Sequence, residues 1–149
     1  MAVTAFWYSQ GLANTVGGTA AAAGGTAVDW LSDTIMVSLH LDYSPSQFVH
    51  ALWSDVSASE IAATGGYSAG GSALQTKTLA VSNGTVTYDG ADQTYAASTI
   101  SATQAVIYDA SIAGSVLLAY VDFGGTVSSS GGNWAITWDA AGILQNVAS

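Results

Sequence analysis

Apolar and polar side chains alternate with period two in short runs closed by glycine, asparagine or serine, and this constrains the fold more than any other feature of the chain. In residues 33 to 43, Ile35, Val37, Leu39 and Leu41 fall on one side of an extended chain and Met36, Ser38, His40 and Asp42 on the other, the pattern of a half-buried strand. Leu79/Val81 and Val86/Tyr88 repeat it on either side of Asn83-Gly84, a pair suited to the positive φ angles of a hairpin turn. Further strands are expected at 103–109, 116–125 and 133–139, the last with Trp134, Ile136 and Trp138 on one face. One helix of about two to three turns is signalled, with Ser44 as cap, Pro45 at the first helical position and Gln47 closing a capping box, Phe48 and Leu52 facing inward. At least six strands and a single short helix predict a mainly β fold, an antiparallel β-sandwich or barrel.

A chain of 149 residues suits one domain with a proper core. Residues 29–149 read as a single β-rich domain, and 1–28 as an N-terminal arm that is either part of it or extended. Within the arm, the Gly/Ala-rich piece 15–28 reads as a flexible excursion, its paired glycines confining any helix to about a turn or two. Mean hydropathy is +0.38, yet no apolar run approaches the roughly 18 residues of a spanning helix. The first ten residues lack the basic start of a signal peptide, so a soluble, unprocessed chain is expected.

Lys77 is the only cation against nine Asp and Glu60, a formal charge of −9. Phosphate backbones and anionic bilayers are held by clustered Lys and Arg, so nucleic acid and membrane are not expected partners. Polarity comes instead from Ser, Thr, Asn and Gln, which are readily buried against another protein when hydrogen bonds form. The lack of cysteine removes disulfides, thiolate metal sites and thiol nucleophiles together.

Gly66-Tyr67-Ser68-Ala69-Gly70 matches the G-x-S-x-G nucleophile elbow, which belongs on a strand–turn–helix with an acid and then a histidine following in the chain. Both histidines, His40 and His50, precede Ser68, and a His, Asp55, Ser68 order would need a larger two-barrel scaffold. A glycine-rich turn is therefore expected, and Lys77 is likewise out of register for a phosphate loop. Asp29/Asp33 and Asp89/Asp92 lack the alternating oxygen donors of a calcium loop. One Glu gives no pointer to a carboxylate pair for glycoside hydrolysis. The reading is a protein without catalytic, metal or cofactor residues. Trp30, Trp53, Trp134 and Trp138 lie inside or beside predicted strands, so most of them are expected in the core. Phe6-Trp7-Tyr8 differs, because three consecutive aromatics cannot share one face of a strand; at least one must pack on a neighbouring element or a partner, and all three are interface candidates.

The order DW-x-x-DTI-x-V-x-L (29–39), WSDV (53–56), GYSAGG (66–71), AVIYD (105–109), AYVDFGG (119–125) and WDAAGIL (138–144) resembles a family of small structural proteins of tailed bacteriophages, over residues 29 to 144. The 15–28 piece departs from it. The resemblance implies a non-enzymatic virion protein, made in the host cytoplasm and placed on the capsid exterior, most simply a capsid decoration protein. Its implied partners are the major capsid protein and copies of itself, as a homotrimer. A tail, neck or fibre-adaptor component and a surface carbohydrate-binding module are the alternatives.

Overall fold

A computed structural model describes residues 2–3, 5–9, 11–12, 15 and 27–147. The expectations for most of the Gly/Ala-rich piece, residues 16–26, lie outside these described residues. Among the described residues, eleven strands follow in order: β1 Ala2–Val3, β2 Phe6–Trp7, β3 Ile35–His40, β4 Ser72–Ala73, β5 Thr78–Ser82, β6 Thr85–Asp89, β7 Gln93–Ser98, β8 Ser101–Asp109, β9 Val116–Ser128, β10 Gly132–Trp138 and β11 Leu144–Val147. They form a five-stranded sheet, β2-β9-β8-β3-β4, and two three-stranded sheets, β1-β10-β7 and β11-β6-β5. Every pairing is antiparallel except β1 with β10. The mainly β, sandwich-like architecture is thus the one the alternation predicts.

The main core lies between the five-stranded sheet and the two smaller ones. Ile35, Val37 and Leu39 of β3 face Ile107 and Ala105 of β8 across their pairing and meet Tyr95, Trp134, Ile136 and Trp138 from the opposite side. The Trp134/Ile136/Trp138 face is buried as its alternation requires. The hairpin also stands as read: Asn83 (φ 48°) and Gly84 (φ 75°) make the two-residue turn between β5 and β6, with Ser82 opposite Thr85.

Three expectations are corrected. β3 is not half-buried, since Ser38 and His40 are as inaccessible as Ile35, Val37 and Leu39, whereas Leu41 lies beyond the strand and is exposed. A second apolar cluster of Tyr8, Tyr43, Val56, Val106, Tyr108 and Leu117 covers that other face. The helix after Ser44 is a single turn, in which the Val49 and His50 N–H groups donate to the Ser46 carbonyl. Phe48 is 88% exposed instead of inward. The chain then continues as two one-turn 3-10 helices, Trp53–Asp55 and Ser57–Ser59. Side chains stop the helix from propagating: Asp55 Oδ2 accepts the Ala51 and Leu52 N–H groups, both at 2.9 Å, so those donors are satisfied without a helical ladder.

The described parts of the first 28 residues belong to the domain. Val3 and Val28 are in the main core, β1 pairs with β10 and β2 with β9. Tyr8 has no accessible surface. Tyr8→Ala is expected to cost about 3–5 kcal/mol, the range for removing a large buried aromatic side chain. Urea unfolding checks this, and a loss under about 1 kcal/mol would show that the segment is dispensable to the fold.

Candidate interaction surface

The Phe6-Trp7-Tyr8 triplet is resolved by a sheet with two buried faces. Trp7 pairs with Ala119 and points into the main core, where its ring meets Tyr88 edge-on at 5.2 Å. Phe6 and Tyr8 take the opposite face, both against Tyr120, with centroids at 5.5 and 5.7 Å. Only Phe6, 51% exposed, presents a large surface; Tyr8 is interior and does not line a surface of this chain.

Loop residues 41–60 lie over this second face and supply its polar chemistry. Tyr8 Oη, Tyr43 Oη and His50 Nδ1 form a chain at 2.6 and 2.7 Å. Because the Ser46 N–H also donates to His50 Nδ1, that nitrogen is an acceptor, so Tyr43 donates to it and Tyr8 donates to Tyr43. Burial, and then that donated proton, pushes the Tyr8 hydroxyl far above the ordinary tyrosine range. His40 is held separately. Ser59 Oγ donates to the Val56 carbonyl, so His40 Nδ1–H donates to Ser59 and Nε2 faces Ser38 Oγ at 2.9 Å. Burial lowers the imidazole to about 4. Trp53 stacks on Tyr108 at 4.5 Å and closes the layer.

Against this layer one turn is pinned outward. Gln47 brackets the free edge of β2, its Nε2 donating to the Trp7 carbonyl and its own carbonyl accepting the Ser9 N–H, each at 2.9 Å. The next two residues, Phe48 and Val49, are therefore fixed at the surface at 88% and 75% exposure, beside the strand that presents Phe6. An exposed aromatic held on a rigid support loses little entropy on docking, which suits it to anchor a protein contact. The predicted helix places Phe48 inside, and no local signal reveals its exposure, which follows from Gln47 reaching a strand 40 residues away.

The residues considered for chemistry are used structurally. Ser68 is exposed at the start of a turn in which Gly71 N–H returns to the Ser68 carbonyl, and among the described residues it is hydrogen-bonded to neither histidine nor to Asp55. Glu60, on the loop side of this turn, accepts the Tyr67 hydroxyl at 2.7 Å and the Gly70 N–H. Asp29 takes the Leu31 and Ser32 N–H groups while Asp33 Oδ2 takes the Asp29 N–H at 2.7 Å, a reciprocal turn closure. Asp92 accepts the Trp138 N–H, and Asp89 the Gly90 N–H. Among the described residues no group of three or more His, Asp or Glu is placed to hold a metal. Trp30, Trp134 and Trp138 are buried and Trp7 and Trp53 partly so, leaving no tryptophan as an open platform.

Two measurements test these assignments. Gly71 has φ +80°, and a Cβ there would run into the Val37 carbonyl, so Gly71→Ala is expected to cost about 3 kcal/mol or more, while Ser68→Ala stays within about 0.5 kcal/mol. Equal effects would contradict the turn reading. The unfolded chain binds a proton on its histidine near 6.5 and folded His40 only near 4, so this group makes unfolding easier as pH falls across that interval. NMR is expected to show His40 neutral at pH 5.5; a midpoint near 6.5 would contradict its enclosure.

Comparison with protein-family models, with curated proteins and with solved structures finds no match for this chain.

Proposed function

We propose that this chain is a non-enzymatic structural protein of a tailed-phage virion, a decoration protein that docks on the outer capsid lattice and stabilises it. The observation that carries the reading is the exposed pair Phe48 and Val49, held next to β2 by the bonds of Gln47 to Trp7 and Ser9, in a chain with a single cationic side chain. The order of short motifs supports it independently. Many of their residues, including Trp30, Ile35, Val37, Leu39, Tyr67, Tyr108 and Trp138, build the core, so the resemblance concerns how the fold is made more than how it docks. Binding the assembled lattice in preference to free subunits favours the lattice by mass action, and symmetric copies, a homotrimer being the simplest, add weak contacts by multivalency. A charge of −9 suits the outside of the shell and opposes contact with the packaged DNA. A tail, neck or fibre-adaptor role uses the same surface and differs in copy number. A carbohydrate-binding role is less well supported, because the tryptophans that would stack on sugars are packed into the protein.

Quantitative mass spectrometry of purified virions is the primary test. A copy number equal to, or a simple fraction of, that of the major capsid protein fits the lattice; a handful of copies moves the chain to tail or neck, and its absence overturns the virion reading. Phe48→Asp is expected to reduce retention on particles about tenfold or more while changing stability by less than about 0.5 kcal/mol. Unchanged retention would remove this surface from the docking site.

A further inference from the structure

Asp109 closes β8, opposite Ile35 of β3 and Val116 of β9, and none of it is accessible to solvent. Its Oδ1 accepts the Ser111 N–H at 2.8 Å. Oδ2 is the one buried side-chain oxygen or nitrogen among the described residues that has no hydrogen-bond partner. An ionised carboxylate there would leave a charged oxygen uncompensated at the end of the main core, a state that folded proteins avoid by keeping the proton.

Asp33 offers that proton an acceptor. It lies in the bend that leads into β3, two residues before Ile35, whose cross-strand partner is Asp109. The chain beside the two residues is bonded together: Thr34 N–H donates to Ser111 Oγ at 2.7 Å and Ala110 N–H donates to the Thr34 carbonyl at 2.9 Å, which holds the 29–34 turn against the end of β8. Two neighbouring carboxylates repel, whereas one proton between them makes a charge-assisted O–H···O⁻ bond. We propose that Asp109 keeps a proton and donates it to the Asp33 carboxylate, making the pair a proton-dependent clasp between the 29–34 turn and the end of β8.

The neighbours leave this arrangement intact. Val116, Ile35, Ser111 and Ile112, which surround Asp109 from β9, β3 and the following turn, carry no charge. Lys77 Nζ donates to the backbone carbonyl of Asp33, and Asp29 is engaged by the Leu31 and Ser32 N–H groups. Burial, reinforced by Asp33 and opposed by the Ser111 and Ile112 amides, raises Asp109 to about 7. The folded state therefore binds this proton more tightly than the unfolded chain, whose value is 3.8. The stabilisation is complete below the unfolded value and is lost as pH rises through about 7. His40 titrates with the opposite sign, so a variant difference isolates the clasp better than the wild-type profile alone.

The experiment compares thermal unfolding of wild type and Asp109→Asn between pH 5 and 8, with NMR titration of the Asp109 carboxyl carbon. The Asn amide keeps the donor and needs no proton. Asp109→Asn is expected to raise Tm at pH 8 by roughly 3 °C or more, with the gain shrinking toward pH 5, and the wild-type Asp109 carboxyl to titrate near neutrality. A Tm difference independent of pH, or titration in the ordinary carboxylate range, would overturn the proposal. Asp33→Asn is the second variant, and stands in if Asp109→Asn fails to fold: its amide would donate to Asp109, so the Asp109 midpoint is expected to fall, and an unmoved midpoint overturns the pair. A Tm increase on adding calcium at pH 8, lost in both variants, would put a cation where the proton is proposed and would equally overturn it.

Discussion

Burial of the five-stranded sheet on both faces is the constraint from which the other features follow. Its central strands carry apolar or enclosed residues in both alternating sets: Ile35, Val37 and Leu39 with Ile107 toward the smaller sheets, and Ser38, His40, Val106 and Tyr108 toward the loop layer. One cover is supplied by strands, because β10 brings Trp134, Ile136 and Trp138 at period two, joined by Tyr95 of β7, Tyr88 of β6 and Leu144 of β11. The other is supplied by loop 41–60 together with β2, and a loop covering a sheet must satisfy its own backbone polar groups. Asp55, Gln47, Ser59 and His50 do so through side-chain hydrogen bonds, which is why this stretch is irregular and yet fixed.

That arrangement connects interior chemistry to surface chemistry. The hydroxyl and imidazole groups of Tyr8, Tyr43, His40 and His50 are the polar price of laying a loop over an apolar sheet, and they are paired among themselves or with serines. They bind the 41–60 segment to β2 and β3, and so hold the turn that carries Phe48 and Val49. On the proposed reading, an apolar contact held in this way would dock at lower cost, since contact residues that are already ordered lose less on being fixed. The acidic, cation-poor surface then limits which partners approach without deciding how the contact is made.

Glycine does a different kind of work in the GGYSAGG segment. Gly71 lies where the chain passes the backbone of β3 too closely for any side chain, and Tyr67 and Gly70 converge on Glu60. The serine in the middle is left at the surface of a turn whose shape is set by its neighbours. A short pattern such as G-x-S-x-G carries chemistry only when strand, elbow and helix surround it, and here the surroundings are strand edges and turns.

Period-two alternation and Asn83-Gly84 were sufficient for the sheet class, the β5–β6 hairpin and the buried tryptophan face of β10, because these depend on residues close together in the chain. Composition alone likewise fixed the charge and the lack of thiol chemistry. Only the tertiary structure decided that β3 has two interior faces, that Tyr8 is interior while Phe6 is not, and that Phe48 points to solvent. Those outcomes turn on contacts made across long separations, Gln47 with Trp7 and Tyr8 with Tyr43, which local pattern does not encode. A strand's alternation states which residues share a side; whether that side meets water or a second layer is settled by what the rest of the chain places upon it.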